Sequence, residues 1–130
     1  MPIRTKRDSA GELTEHVISG SVTAEEVITC QTMFYEAGPT RMVLLDLSEA
    51  DMALLTTENM RQFIRRTATL GLERQDGRTV IVAPAPLQYG LGRMAESYGE
   101  IESIPYTLRV FLKRDDAVRW LEESDNQPAD

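Results

Sequence analysis

Of cysteine, histidine and tryptophan the 130-residue chain holds one residue each, and aromatic residues make up only 6% of it. The lone Cys30 excludes an intrachain disulfide, and without a CxxC or Cys/His set the usual zinc arrangements are excluded too. His16 stands equally alone. A metal site would need carboxylates only, and their spacing matches no calcium loop, so no metal and no cofactor is expected. Positive charge is also short: 14 Lys and Arg face 21 Asp and Glu, for a net charge of −7. That balance opposes the counterion release that favours nucleic-acid binding, and no nucleic-acid partner is expected. No apolar run approaches the ~20 residues that crossing a bilayer demands, and no apolar h-region follows Met1 to Arg7. The expectation is a protein without membrane insertion and with a cytoplasmic address.

What is present is an ordinary globular composition, 42% hydrophobic and 27% charged, at a length that suits one core. No repeat, low-complexity tract or composition break divides the chain. One α/β domain over residues 1–123 is therefore expected, followed by a polar tail at 124–130 prone to fraying.

Alternation of short apolar runs with helical periodicity makes the architecture legible. Glu12 to Ser19 reads as a strand, hairpinned to Ile3 to Arg7 through the turn-prone Asp8 to Gly11. Thr23 and Glu26 form a capping-box pattern with Val22 as staple. A helix follows with Val27, Cys30, Phe34 and Ala37 on one face until Gly38-Pro39 stops it. Cys30 on that face reads as a core residue. Met42 to Leu47 is a nearly unbroken apolar run, as in a central strand covered on both faces. After a connector from Ser48 to Leu55, Thr56 and Thr57 open a helix with Met60, Phe63, Ile64 and Ala68 on one side, ended by Gly71. Arg78 to Ala83 reads as another buried strand. Pro84 and Pro86 lead from it into a helix with Leu87, Leu91, Met94, Ala95 and Tyr98 inward and Gly99 as its stop. Thr107 to Leu112 is the last strand. Asp115 or Asp116 is expected to cap the final helix, whose Ala117, Trp120 and Leu121 face the sheet. Trp120, Phe34, Val43, Leu45, Ile81, Phe63 and Phe111 are the expected core.

Three phrases in this order carry a family resemblance: Gly20-Ser21-Val22-Thr23-Ala24-Glu25-Glu26 at the first helix, Tyr89-Gly90-Leu91-Gly92-Arg93-Met94 after the third core strand, and Ala117-Val118-Arg119-Trp120-Leu121 near the end. Together they resemble the SpoIIAA-like branch of the STAS superfamily. The resemblance implies an α/β sandwich: a mainly parallel mixed sheet of four to five strands with about four crossover helices. It also implies a regulatory or binding module rather than an enzyme. In the anti-sigma antagonists of that superfamily, a strand ending Asp-Leu-Ser precedes an Asp-Ser-Ser-Gly turn whose serine is phosphorylated. Asp46-Leu47-Ser48 matches the strand end, and Thr56-Thr57 takes the place of the acceptor. Leu54 to Glu58 lacks both the acidic residue and the glycine of the motif.

Thr56 and Thr57 are accordingly candidate phospho-acceptors, with an ordinary helix cap as the competing reading. Asp46, Ser48, Gly90, Gly92 and Arg93 are candidate ligand or anion contacts, because ligand-accessible loops gather beyond the carboxyl ends of a mainly parallel sheet and glycines admit close approach. The GxG spacing lacks the rest of a dinucleotide fingerprint, so helix packing competes as its explanation. His16 on an alternating strand reads as solvent-facing or satisfied. Arg61, Arg65 and Arg66 form a basic strip, either a solvated face or a docking surface for an acidic partner. The leading expectation is a non-enzymatic module that binds a protein partner or a small amphipathic ligand, with room for a homodimer. The alternative is a small hydrolase or transferase using Asp46 and Arg93.

Overall fold

A computed structural model describes residues 2–123; the tail at 124–130 lies outside the described residues. Strands β1 (Ile3–Arg7) and β2 (Leu13–Ser21) form the expected antiparallel hairpin. Then come α1 (Ala24–Glu36), β3 (Met42–Asp51), α2 (Thr57–Leu70) with a 3₁₀ turn at Gly71–Arg74, β4 (Arg78–Val82), α3 (Pro86–Glu102), β5 (Thr107–Phe111) and α4 (Arg114–Glu122). The five strands lie in chain order, and β2 through β5 are parallel.

Chain order decides where the helices go. Crossovers are almost always right-handed, and along a sheet whose order never reverses they fall on one face. Accordingly Met60, Phe63 and Ile64 of α2, and Leu91 and Ala95 of α3, share one core with Ile18, Leu47, Ile81 and Val110, and Val27 and Ile28 of α1 pack against it. Three helices are crossovers. The fourth, α4, follows the last strand and covers the opposite face, where Ala117 and Leu121 pack on Leu44, Val80 and Val82.

The helix ends follow local chemistry. Thr23 Oγ1 accepts from the Glu26 N–H at 3.1 Å, and Glu26 Oε1 accepts from the Thr23 N–H at 2.9 Å, which is the capping box expected there. Gly38, just past α1, takes φ +91°, a left-handed value that glycine adopts without strain.

Several boundaries differ from expectation. β3 runs on through Ser48 to Asp51, because Ser19, Gly20 and Ser21 of β2 pair with Glu49, Ala50 and Asp51. Gly99 lies inside α3, where a side chain would press on Ile104, and the helix ends instead at Ser103 in the left-handed conformation. Asp115 and Asp116 sit in the first turn of α4 rather than capping it, a position that still favours negative charge; Lys113 is the N-cap residue. Leu87 is 61% exposed on the outer face of α3, and Ala37 is exposed beyond α1. Trp120, Phe111 and Leu45 are only partly buried, whereas Phe34, Val43, Phe63 and Ile81 are core. α4 is too short to cover its whole sheet face, so the Trp120 ring lies at its margin. There it stacks under the guanidinium groups of Arg78 and Arg109, 5.1 and 5.5 Å from its centroid.

Candidate functional site

Between the sheet and the three crossover helices lies a cavity of about 170 Å³. Toward the strands' carboxyl ends its walls are Ile18, Leu47, Met52, Met60 and Leu91. Toward their amino ends the lining turns polar with His16, Thr67, Arg74, Thr79, Tyr35 and Tyr106. The sequence makes this gradient by ending α2 in a 3₁₀ turn that folds Arg74 inward ahead of β4.

Arg74 is 2% exposed. Its Nε donates to the Thr40 carbonyl at 2.9 Å, and its Nη2 donates to the carbonyls of Arg41 and Arg78 at 3.0 and 3.2 Å. The guanidinium carbon sits 4.2 Å from the centroid of the Tyr106 ring, and the Tyr35 hydroxyl hydrogen-bonds to Arg74. Among the described residues no carboxylate pairs with it, so carbonyls, hydroxyls and π faces alone stabilise a buried cation. Burial first, then the neighbouring Tyr35, pushes the Tyr106 phenol up to about 12, and burial also raises Tyr35. Both phenols are neutral at physiological pH. Thr79 Oγ1 is buried in the same lining without a hydrogen-bond partner among the described residues.

The structure brings together the chain's one histidine and one cysteine, which sequence spacing left unconnected. Cys30 Sγ lies 3.6 Å from His16 Nδ1, and Thr5 Oγ1 shares a 2.8 Å hydrogen bond with that same nitrogen. Their protonation runs against a thiolate–imidazolium pair. Burial, then the Arg74 charge, lowers His16 to about 4, and burial raises the Cys30 thiol. A poor base beside a reluctant acid fits an unreactive thiol, although Cys30 is only partly buried at the cavity wall rather than in the core as expected. Among the described residues no three His, Cys, Asp or Glu side chains gather as metal ligands would.

The residues singled out from sequence do not assemble into one site. Asp46 points to the α4 face. There its Oδ1 accepts from the Ser48 N–H and hydroxyl at 2.9 and 2.6 Å, and its Oδ2 pairs with Arg114, which also holds Glu15 at 2.7 Å. Gly90, Gly92 and Arg93 belong to α3 on the opposite face. A Cβ on Gly92 would stand 2.5 Å from Val110 Cγ2, so this glycine lets α3 sit tightly on β5. Gly90 faces open space, and Arg93 pairs with Glu96 one turn on. Strand-end loops converge where strand order reverses, and here it never does. Asp46 and Arg93 are thus on opposite faces, and the pair that the hydrolase or transferase alternative needs is not formed. Thr56 is the N-cap of α2, its Oγ1 accepting from the Asn59 N–H at 3.1 Å while Asn59 Oδ1 accepts from the Thr56 N–H; Thr57 is the exposed first residue of the helix. Two residues of the basic strip are engaged, Arg65 with Glu102 and Arg66 as a donor to Gln31 and Thr32, while Arg61 is exposed. Arg74 and Thr79, which shape the polar end, carry no sequence signal beyond a charge before a strand and a threonine within it.

No protein-family model matches the chain, and no curated protein is significantly similar to it. Among solved structures, the chain is similar to an uncharacterized protein of the DUF3478 family from Shewanella loihica PV-4, described as having a SpoIIAA-like fold. The two share 22% identity over 92% of this chain and 91% of the other, with a TM-score of 0.60. The fold is SpoIIAA-like. The five-stranded mixed sheet with four helices agrees with the SpoIIAA-like architecture that the three sequence phrases imply. Within this SpoIIAA-like frame the lining of the cavity joins apolar walls to a few convergent polar groups, the usual composition of a small-molecule site. Among the described residues, no helix is long and apolar enough to cross a membrane.

Proposed function

We propose that this chain is a non-enzymatic binding module that holds a small apolar or amphipathic ligand in the chamber between its sheet and α1, α2 and α3. The chamber itself carries this reading. Protein interiors pack to crystal density with few voids larger than a water molecule, whereas about 170 Å³ remains open here behind mostly apolar walls. An engineered apolar cavity of about 150 Å³ in another protein admits benzene, which sets the scale of the guest. α1 fully buries only Phe34, so it is the least firmly seated cover and the natural place for a guest to pass. Recognition of a protein partner through a Thr56 switch has weaker support, since that hydroxyl already caps α2 and lacks the acidic and glycine neighbours of the phosphorylated motif.

A guest that binds only the folded chain must raise its unfolding midpoint. Saturating toluene should raise the wild-type midpoint by a few degrees. Ala95→Leu, which extends a lining side chain into the chamber, should remove most of that rise while keeping the native circular dichroism spectrum. An equal rise in both proteins, or none in the wild type, would refute the chamber as the binding site.

A further inference from the structure

Two polar groups in the chamber have needs that the fold meets only in part. Three carbonyls and the Tyr35 hydroxyl hydrogen-bond the Arg74 guanidinium, but its permanent positive charge is neutralised by no described carboxylate. Thr79 brings a hydroxyl that is 96% buried, since the residue is 4% exposed, and that makes no hydrogen bond among the described residues. Both line the same chamber, and Arg74 Nη2 reaches the carbonyl of Arg78, the residue next to Thr79. Buried hydroxyls and buried cations are normally paired, because leaving either unsatisfied is costly. Finding one of each at the same end of an otherwise apolar chamber indicates a missing partner that accepts hydrogen bonds and carries negative charge.

We propose that the guest is a monocarboxylate with an apolar tail, its carboxylate seated between the Arg74 guanidinium and the Thr79 hydroxyl and its tail directed toward Leu47 and Met52. This rests on the ligand-chamber reading and adds the chemistry of the head group. A carboxylate has two planar oxygens, which suit the edge of a guanidinium and leave a lone pair for the Thr79 O–H. Its single charge balances the single fixed charge at that end, because His16 is neutral there and the two phenols keep their protons. A phosphate dianion would bring a surplus negative charge into a low-dielectric space. The tail faces Ile18, Leu47, Met52 and Met60, and the chamber volume suits a chain of roughly six carbons on the scale of the benzene-sized cavity.

Calorimetric titration of the full chain with hexanoate and with 1-hexanol separates head from tail. The wild type should bind hexanoate at least about tenfold more tightly than 1-hexanol, the range of one charge-assisted hydrogen bond. Thr79→Val is nearly isosteric and removes a hydroxyl that holds nothing in the ligand-free fold, so it should leave the fold intact. It should weaken hexanoate about tenfold and leave 1-hexanol within about twofold. Equal affinity of the wild type for both compounds would overturn the carboxylate seat while the chamber reading stands. Undiminished hexanoate binding by Thr79→Val would overturn the seat as well. If neither compound binds, the chamber reading and the seat fall together.

Discussion

Replacing Arg74 with methionine should cost this protein about 4 kcal/mol of stability, a large share of the ~5 to 15 kcal/mol by which a domain of ordinary size is stable. The side chain is a hub rather than a surface charge. Its bonds to the carbonyls of Thr40, Arg41 and Arg78 join the segment before β3 to the start of β4, and its planar face packs on Tyr106. Methionine fills much of the volume but withdraws the guanidinium from three carbonyls, of which that of Arg41 still accepts from the Arg78 N–H at 3.0 Å. Each buried polar group stripped of its partner costs roughly 1 to 3 kcal/mol, offset in part by losing the desolvation penalty of the charge itself. Arg74→Lys should recover only a minor part, because one ammonium cannot reproduce a planar fork spread over three acceptors and an aromatic ring. Urea unfolding at neutral pH measures both variants. A loss below about 1 kcal/mol for Arg74→Met would mean that water replaces the guanidinium and that the site is not the dry, charge-bearing end described above.

The second large effect is on pH dependence. His16 titrates near 4 in the folded chain against an ordinary 6.5, chiefly because the ring is buried and secondarily because Arg74 repels the imidazolium. Between those pH values the unfolded chain binds more protons at this residue than the folded chain does. Stability from this group is therefore complete above about pH 6.5 and declines as pH falls toward 4, by on the order of 3 kcal/mol in all. Carboxylates elsewhere titrate in part of the same range, so the decisive quantity is a difference between proteins. His16→Gln keeps a hydrogen-bonding side chain for Thr5 and has no proton to gain, so it should lose markedly less stability than wild type between pH 7 and pH 4.5 in urea unfolding. Parallel losses in the two proteins would show that His16 is protonated in the folded chain without penalty.

Both effects come from residues that sequence patterning handles poorly. The alternation of apolar runs with helical spacing located the hairpin, the three core strands and all four helices, because burial of one face imposes a period on the residues that bury it. Where that period fails, tertiary pairing decides. Ser48-Glu49-Ala50-Asp51 looks like a connector, yet it is strand because β2 extends alongside it, and Ser19 and Ser21 donate to Glu49 and Asp51 at 3.2 and 3.3 Å. The strand-end cluster of Asp46, Ser48, Gly90, Gly92 and Arg93 rested on loops gathering beyond the strands' carboxyl ends, and in a sheet that runs in chain order Asp46 faces α4 while α3 covers the opposite face. Arg74 was invisible because a lone arginine after a helix usually faces water. Its inward turn depends on three carbonyls contributed by segments more than thirty residues away in two cases and four in the third. Thr79 reads as one more β-branched strand residue, and only the packed fold reveals that its hydroxyl lacks a partner. The meeting of His16 with Cys30 likewise exists only once α1 lies across β2.

Methyl NMR of the protein with and without toluene tests the central claim most directly, since an aromatic guest shifts the methyl signals of the side chains that surround it. Occupation of the chamber should move the methyl resonances of Ile18, Leu47, Met60 and Ile81, which line it. Those of Leu44, Val80 and Val82, buried beneath α4 on the other face of the sheet, should stay in place. Shifts confined to exposed residues such as Met33, Leu54 or Leu87, with the lining methyls unmoved, would contradict an internal ligand site in this fold.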